Sequence, residues 1–485
     1  MRRLSEGSLT SKEWTQGCWK RIHQWDSDLG CFLHQLEDES LQAAVDSDNR
    51  RMKGEALSPL DGVPLGLKDV FHLPGSPTTC GSRLLEGYYP PFVSSVTQRL
   101  LDAGAILLGK LNLDEFAMGS STEFSAYKNC RNPWDLNRTP GGSSGGCAAA
   151  VAASFVSGAI GSDTGGSVRQ PAAFCGLTGL KPTNGRVSRS GLVSFAPSMD
   201  QAGVLSHSAE GCALLLQAIS GKDRCDATSQ DIPVPSSFLA SDFSWKGLRV
   251  GIPSSVWEEE MEPEVREVLE EVIRWVRSSG ATTIELPFPH YQVALQTYLV
   301  MASAEASSNL ARFDGVRYGK RVQHDGDGLK DMMTRTRSEG FGAEVQRRIL
   351  MGTFVLSKDA VADYYDKAQN VRHLITLDYK QAWEQCDLLL TPTTPTEAFP
   401  LGSCLDSPMS MYKSDVFTVG ANLAGIPALS MPAGFSSGGL PLGVQWMAPP
   451  WQETRLLSAT HSYQQDFDHH RKHPELGKIS RRKVE

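Results

Sequence analysis

Between Leu248 and Leu286 the chain has little freedom in what it can fold into. "LRVGIP" (248–253) is a short apolar run of strand character. From Pro263 to Val276, Val265, Val268, Leu269, Val272, Ile273 and Val276 recur at the spacing of one helix face. Pro263 suits a first helical turn, and Gly280 suits the helix's end. "TTIEL" (282–286) is then a second strand. A strand–helix–strand unit of this length predicts a parallel pair joined by a right-handed crossover.

The rest of the chain follows the same grammar. Residues 10–50 read as helical and polar, opened by a Thr10-x-x-Glu13 capping box. "PLDGVPLGLKDVF" (59–71) reads as a strand entering a loop, 93–105 as a helix ending at Gly104, and "AILLGKLNL" (105–113) as a buried strand. Residues 290–375 read as mainly helical. Short buried strands are expected in 386–395, 427–434 and 442–449. The predicted class is α/β, with a mixed sheet core covered by helices on both sides.

Composition excludes several functions. Hydrophobic residues make up 40% and charged residues 21% of 485, with a net charge of −8 and no basic tail, so the chain is a poor direct binder of nucleic acid. Its ten cysteines are scattered, with no C-x-x-C and no Cys/His pair at zinc spacing. No metal site is expected, and a reducing compartment is. Met1-Arg2-Arg3 opens no apolar signal sequence. Residues 139–162 lack charge but are rich in Ala, Gly and Ser, which suits a buried helix rather than a membrane span.

Three segments carry chemistry. In "DTGGS" (163–167), Gly165 and Gly166 allow successive N–H groups from Thr164 to Ser167 to converge on one anion, with Ser167 at the edge as a nucleophile; a plain tight turn is the alternative. A serine nucleophile needs a base, and none of the eleven histidines lies in these segments. Lys68, in "GLKDV", can serve if desolvated; pairing with Asp69 is the alternative. "GGSSGG" (141–146) fits G-x-S-x-G, but the polar, Pro-broken residues before it argue against a nucleophile elbow. Its remaining role is a hydroxyl that relays a proton.

The run "GGSSGGCAAAVAASFVSGAIGSDTGGSVRQPAAFCGLTGLKP" resembles the amidase signature family nearly throughout. The resemblance places the family's Ser–cisSer–Lys triad on Ser167, Ser143 and Lys68, and its oxyanion hole on the N–H groups of Thr164, Gly165, Gly166 and Ser167. Ser144 is then structural. Within the family, "KLNLDEFAMGSSTEFSAYKNCRNPWD" (110–135), "SAEASSNLARFDGVRYG" (303–319) and "EVQRRILMGTFVLS" (344–357) are similar to the glutamine-hydrolysing subunits of tRNA-dependent amidotransferases. The likeness spans roughly residues 55–450. Phe124, Val70-Phe71 and Cys147 depart from the common pattern.

The resemblance implies one domain over 1–485, with a signature core at about 55–220 and the helical region at about 290–375 on the substrate side. It implies glutamine as substrate, Arg347 (Arg348 as the alternative of the doublet) for its carboxylate, Asp415 for its ammonium and Tyr298 as a lining residue. It also implies a heterotrimer with B and C subunits. Aminoacyl-tRNA would be held mainly by B, ATP and Mg would be used by the partner, and this chain would carry no cofactor and touch no membrane. A bacterial cytoplasm is expected, with a mitochondrial or plastid matrix as the alternative. Rival readings are a free-standing amidase for small amides and a non-catalytic assembly scaffold.

Overall fold

In the computed structural model, which describes residues 2–405 and 407–478, eleven strands form one mixed sheet. They are β1 (Phe32–Gln35), β2 (Pro64–Lys68), β3 (Ile106–Leu111), β4 (Gly158–Asp163), β5 (Thr178–Lys181), β6 (Gln201–Ser206), β7 (Arg249–Pro253), β8 (Thr282–Leu286), β9 (Leu388–Pro392), β10 (Ala428–Phe435) and β11 (Pro441–Met447). Their order across the sheet is β1-β3-β2-β4-β6-β5-β10-β11-β9-β7-β8. The crossover unit forms as expected: β7 and β8 are parallel, joined by a helix over Pro263–Ser278 that buries all six periodic residues.

The Thr10–Glu13 capping box is present and starts a helix over Ser11–Leu29. The expected helical run over 10–50 is broken, however. Gly30 adopts a left-handed φ of 69°, the Cys31 N–H turns back to Asp26 Oδ1 at 2.7 Å, and β1 follows before a second helix begins at Glu37. Strands β1, β4, β5 and β6 carry no clear sequence signal. In β4, "GAIGSD" has too little β-branched or aromatic content to stand out.

The sheet is covered on both faces. The alanine-rich segment forms a helix over Gly145–Ala152, every residue of it buried, in one core cluster with Trp19 and Ile22 of the helix Ser11–Leu29 and with Phe155. Small side chains are what let a helix sit that close to a sheet. Among the described residues no helix is long and apolar enough to cross a membrane.

What matters for chemistry is one edge of the sheet. β2 and β4 are parallel neighbours, with Leu67 opposite Ile160. Their carboxyl ends therefore open side by side, delivering Lys68 from one and the 164–167 loop from the other. That edge is where open α/β sheets place ligands.

Candidate active site

Lys68 is fully buried at the end of β2. Its Nζ donates to Ser143 Oγ at 2.7 Å, Ser144 Oγ at 2.9 Å and Ser162 Oγ at 2.9 Å. Asp69 is not its partner. It pairs instead with Lys110 at 2.6 Å and accepts from the Thr79 N–H at 2.8 Å. Successive residues of an extended chain face opposite ways, so neighbours in sequence are separated in space. Burial pushes the Lys68 ammonium down to about 8, against the opposing fields of Cys147, Asp114 and Asp163. An amine surrounded by hydroxyls and lacking a carboxylate partner is suited to take up a proton.

Ser143 follows a cis peptide bond from Gly142. Its loop is clamped by side chains of other elements. Gln170 Oε1 accepts from the Gly142 N–H at 2.9 Å, and Thr122 Oγ1 donates to the Gly141 carbonyl at 2.7 Å. The Ser144 N–H donates to the Ser167 carbonyl at 3.1 Å, which brings the two serine loops into direct contact. Ser144 Oγ also donates to the Ser162 carbonyl at 3.1 Å, so this hydroxyl holds both Lys68 and β4.

Ser167 is half-buried. The loop that carries it is stapled by Asp163 and Arg169, both fully buried. Asp163 accepts from the N–H groups of Gly166 at 2.9 Å and Val168 at 3.1 Å, and from Arg169 Nη2 at 3.0 Å. Burial alone would raise the Asp163 pKa, but Arg169, with Lys181 and Asn422, holds it down at about 2. Arg169 is satisfied by the Thr418 carbonyl and Gln445 Oε1, both at 2.9 Å, and by Asn422 Oδ1 at 2.6 Å. Thr164 is fixed by Asp200 Oδ1 at 2.6 Å.

The two glycines are required by close approach. A Cβ on Gly165 would lie 2.6 Å from the Tyr298 ring. A Cβ on Gly166 would collide with Thr418 Oγ1, at a φ of +141°. One expected donor is already committed: the Gly166 N–H is spent on Asp163. The N–H groups of Thr164, Gly165 and Ser167 have no partner among the described residues, and they are the ones free to receive an anion.

Beyond this loop lie a buried aspartate and a buried arginine, Asp415 and Arg348. Asp415 is buried; its Oδ2 accepts from Ser120 Oγ at 2.5 Å, while its Oδ1 has no partner among the described residues and sits 3.3 Å from where a Gly166 Cβ would be. Burial pushes this carboxyl up to about 7. Tyr298 is buried against Gly165, and burial raises its phenol. The charge of Arg348 acts on both Tyr298 and Asp415.

The two arginines of the doublet, Arg347 and its alternative Arg348, lie in different surroundings. The Arg347 side chain is 40% exposed and ion-pairs with Glu344, whereas that of Arg348 is 4% exposed, pairs with the same buried Glu344 and acts by its charge on Tyr298 and Asp415. Helix periodicity carried the signal. Val345, Arg348, Gly352 and Val355 share the buried face of the helix Ala343–Val355, and Arg347 lies off it. Sequence reasoning also misses the staple of Asp163 and Arg169, although these are the only charges between residues 139 and 180. Two opposite charges alone in a buried apolar run must pair.

The amidase family model matches residues 13–457, which extends the likeness well before residue 55. The A subunit of the glutamyl-tRNA(Gln) amidotransferase of Chloroflexus aggregans is 50% identical over 475 residues, covering 98% of this chain and 97% of that protein. The crystal structure of the corresponding A subunit from Thermotoga maritima, also a glutamyl-tRNA(Gln) amidotransferase, is 38% identical with a TM-score of 0.77, covering 92% of this chain and 90% of that one. A peptide amidase in complex with the competitive inhibitor chymostatin is 29% identical with a TM-score of 0.81, covering 98% and 97%.

Proposed function

The chain belongs to the amidase family, and from that premise we propose that it is the glutaminase component of a tRNA-dependent amidotransferase, releasing ammonia from glutamine for the conversion of Glu-tRNA(Gln) to Gln-tRNA(Gln). The observation that carries this reading is a buried lysine among hydroxyls together with a buried arginine and a buried aspartate near the nucleophile loop, each with polar atoms left open. Simple amides need only the first. A free amino acid, with a carboxylate and an ammonium beyond its reacting amide, needs both.

In the reaction as we read it, neutral Lys68 takes the proton of Ser143 Oγ while Ser143 takes that of Ser167 Oγ. Ser167 Oγ attacks the side-chain carbonyl carbon of glutamine. The N–H groups of Thr164, Gly165 and Ser167 receive the oxyanion. The proton returns through Ser143 to the amide nitrogen, the C–N bond breaks, and ammonia leaves. Water then attacks the acyl-Ser167 ester by the same relay and frees glutamate. Arg348 holds the substrate's α-carboxylate and Asp415 its α-ammonium. The unpartnered Asp415 Oδ1 supports that role, since a buried acceptor without a donor is costly until one arrives.

The released ammonia passes to a B subunit, which with a C subunit completes a heterotrimer. The B subunit holds the aminoacyl-tRNA mainly and uses ATP and Mg to activate it, and the assembly works in a bacterial cytoplasm. The 50% identity to the Chloroflexus A subunit, over nearly the whole of both chains, supports this. The test is ammonia release from glutamine by the chain with and without B and C subunits, Glu-tRNA and ATP. Glutaminase activity with formation of Gln-tRNA upholds the reading. Hydrolysis of simple amides by the chain alone, with glutamine ignored, replaces it with a free-standing amidase.

A further inference from the structure

Glu344 lies in the first turn of the helix Ala343–Val355 and is 1% exposed. Its Oε1 accepts from Arg348 Nε at 2.7 Å and from the Tyr412 hydroxyl at 2.6 Å, and its Oε2 pairs with Arg347. Tyr412 belongs to the helix Pro408–Lys413, and Asp415 follows just beyond that helix's end. One carboxylate therefore ties the helix that carries the buried arginine to the segment that carries the buried aspartate.

The manner of the tie matters. Glu344 holds the arginine by Nε, and no carboxylate or carbonyl among the described residues takes its terminal nitrogens. The faces of the guanidinium are covered by Phe195 and Tyr412, with ring centroids 5.4 and 5.1 Å away. The helix itself is anchored at its start, where the Gly342 N–H donates to the buried Glu115 at 2.7 Å. Held along one edge and packed over two rings, the guanidinium has its remaining fork beside the Tyr298 hydroxyl, and that fork is the edge that matches a carboxylate in two parallel bonds.

We propose that Glu344 is a positioning residue that sets the orientation of the Arg348 fork and its distance from Asp415, and so selects substrates bearing a carboxylate and an ammonium on one carbon. This rests on the glutaminase reading above. Glu344 touches no substrate. It acts through Arg348 directly and through Tyr412 on the Asp415 segment, so its removal must fall on the binding of glutamine and spare the chemistry at Ser167.

The experiment compares glutamine with 4-aminobutanamide, which has the same amide and amine but no carboxylate. It uses the full chain assembled with its B and C partners. In Glu344→Met we expect the KM for glutamine to rise about 30-fold, with kcat within about threefold and the KM for 4-aminobutanamide rising no more than about threefold, the share carried through Tyr412 to Asp415. Glu344→Gln keeps an acceptor for Nε and the Tyr412 hydroxyl, and should recover most of the loss. Tyr412→Phe cuts only the second tie and should raise the glutamine KM about threefold. Labelling of Ser167 by an electrophilic amide probe checks that each variant is folded.

An unchanged glutamine KM in folded Glu344→Met, or an equal rise for both amides, overturns the proposal while the glutaminase reading stands. A wild-type enzyme that ignores glutamine overturns that reading and this proposal together.

Discussion

The Lys68 amine nitrogen lies 2.7 Å from the Ser143 hydroxyl oxygen, with no carboxylate bonded to it among the described residues. A lysine paired with a carboxylate would stay protonated and could accept nothing. Lys110, equally buried on the neighbouring strand β3, makes the contrast: it is locked to Asp69 at 2.6 Å.

Replacing Lys68 with Ala should lower kcat for ammonia release by about 10³, the usual worth of a positioned general base. Ser167→Ala should abolish turnover and labelling by the electrophilic probe. Substantial residual glutaminase in Ser167→Ala would remove Ser167 as the nucleophile.

Activity should rise with pH. Lys68 must be neutral to act, and burial sets its pKa at about 8. Below that value the ammonium form dominates and kcat/KM should fall about tenfold per pH unit. Asp415, raised to about 7, must be ionised to hold an ammonium, which steepens the fall below neutrality. A kcat/KM profile flat from about pH 6 to 9 would contradict a lysine base.

The arginine doublet separates cleanly by kinetics. Arg348→Met should raise the glutamine KM on the order of 100-fold, the value of a charge-assisted bidentate contact. Arg347→Met, its side chain 40% exposed, should change it less than about threefold. The reverse ranking would restore Arg347 as the carboxylate ligand.

The staple under the nucleophile loop can be tested by stability. Arg169→Met leaves Asp163 charged and buried without its partner, and should cost about 3–5 kcal/mol in urea unfolding. Adding Asp163→Asn removes the stranded charge and should recover part of that loss. Equal stability of Arg169→Met and wild type would mean the pair holds nothing.

The candidate segments were legible because serine, lysine and paired glycines carry chemistry by residue type, and the resemblance to the amidase signature family joined them into one site. Two glycines before a serine, a second serine 24 positions upstream and a lysine at a strand end are visible in one dimension. The crossover unit at 248–286 was equally plain, because a six-residue apolar stripe at helical period has no other use. Strand β4 was opaque for the opposite reason: its small residues are chosen for close packing against the alanine-rich helix and do not advertise a strand.

The order of residues along the chain was enough to nominate an α/β sheet from local pattern, and a serine hydrolase served by a lysine through the resemblance to the amidase signature family. It could not say which groups are free to act. The pairing of Asp69 with Lys110, the commitment of the Gly166 N–H to Asp163 and the inward turn of Arg348 rather than Arg347 each depend on a partner's position or on which face of an element is covered. Desolvation and hydrogen-bond satisfaction are properties of an enclosed volume. That volume exists only once segments as distant as residues 68, 167, 348 and 415 have been packed against one another.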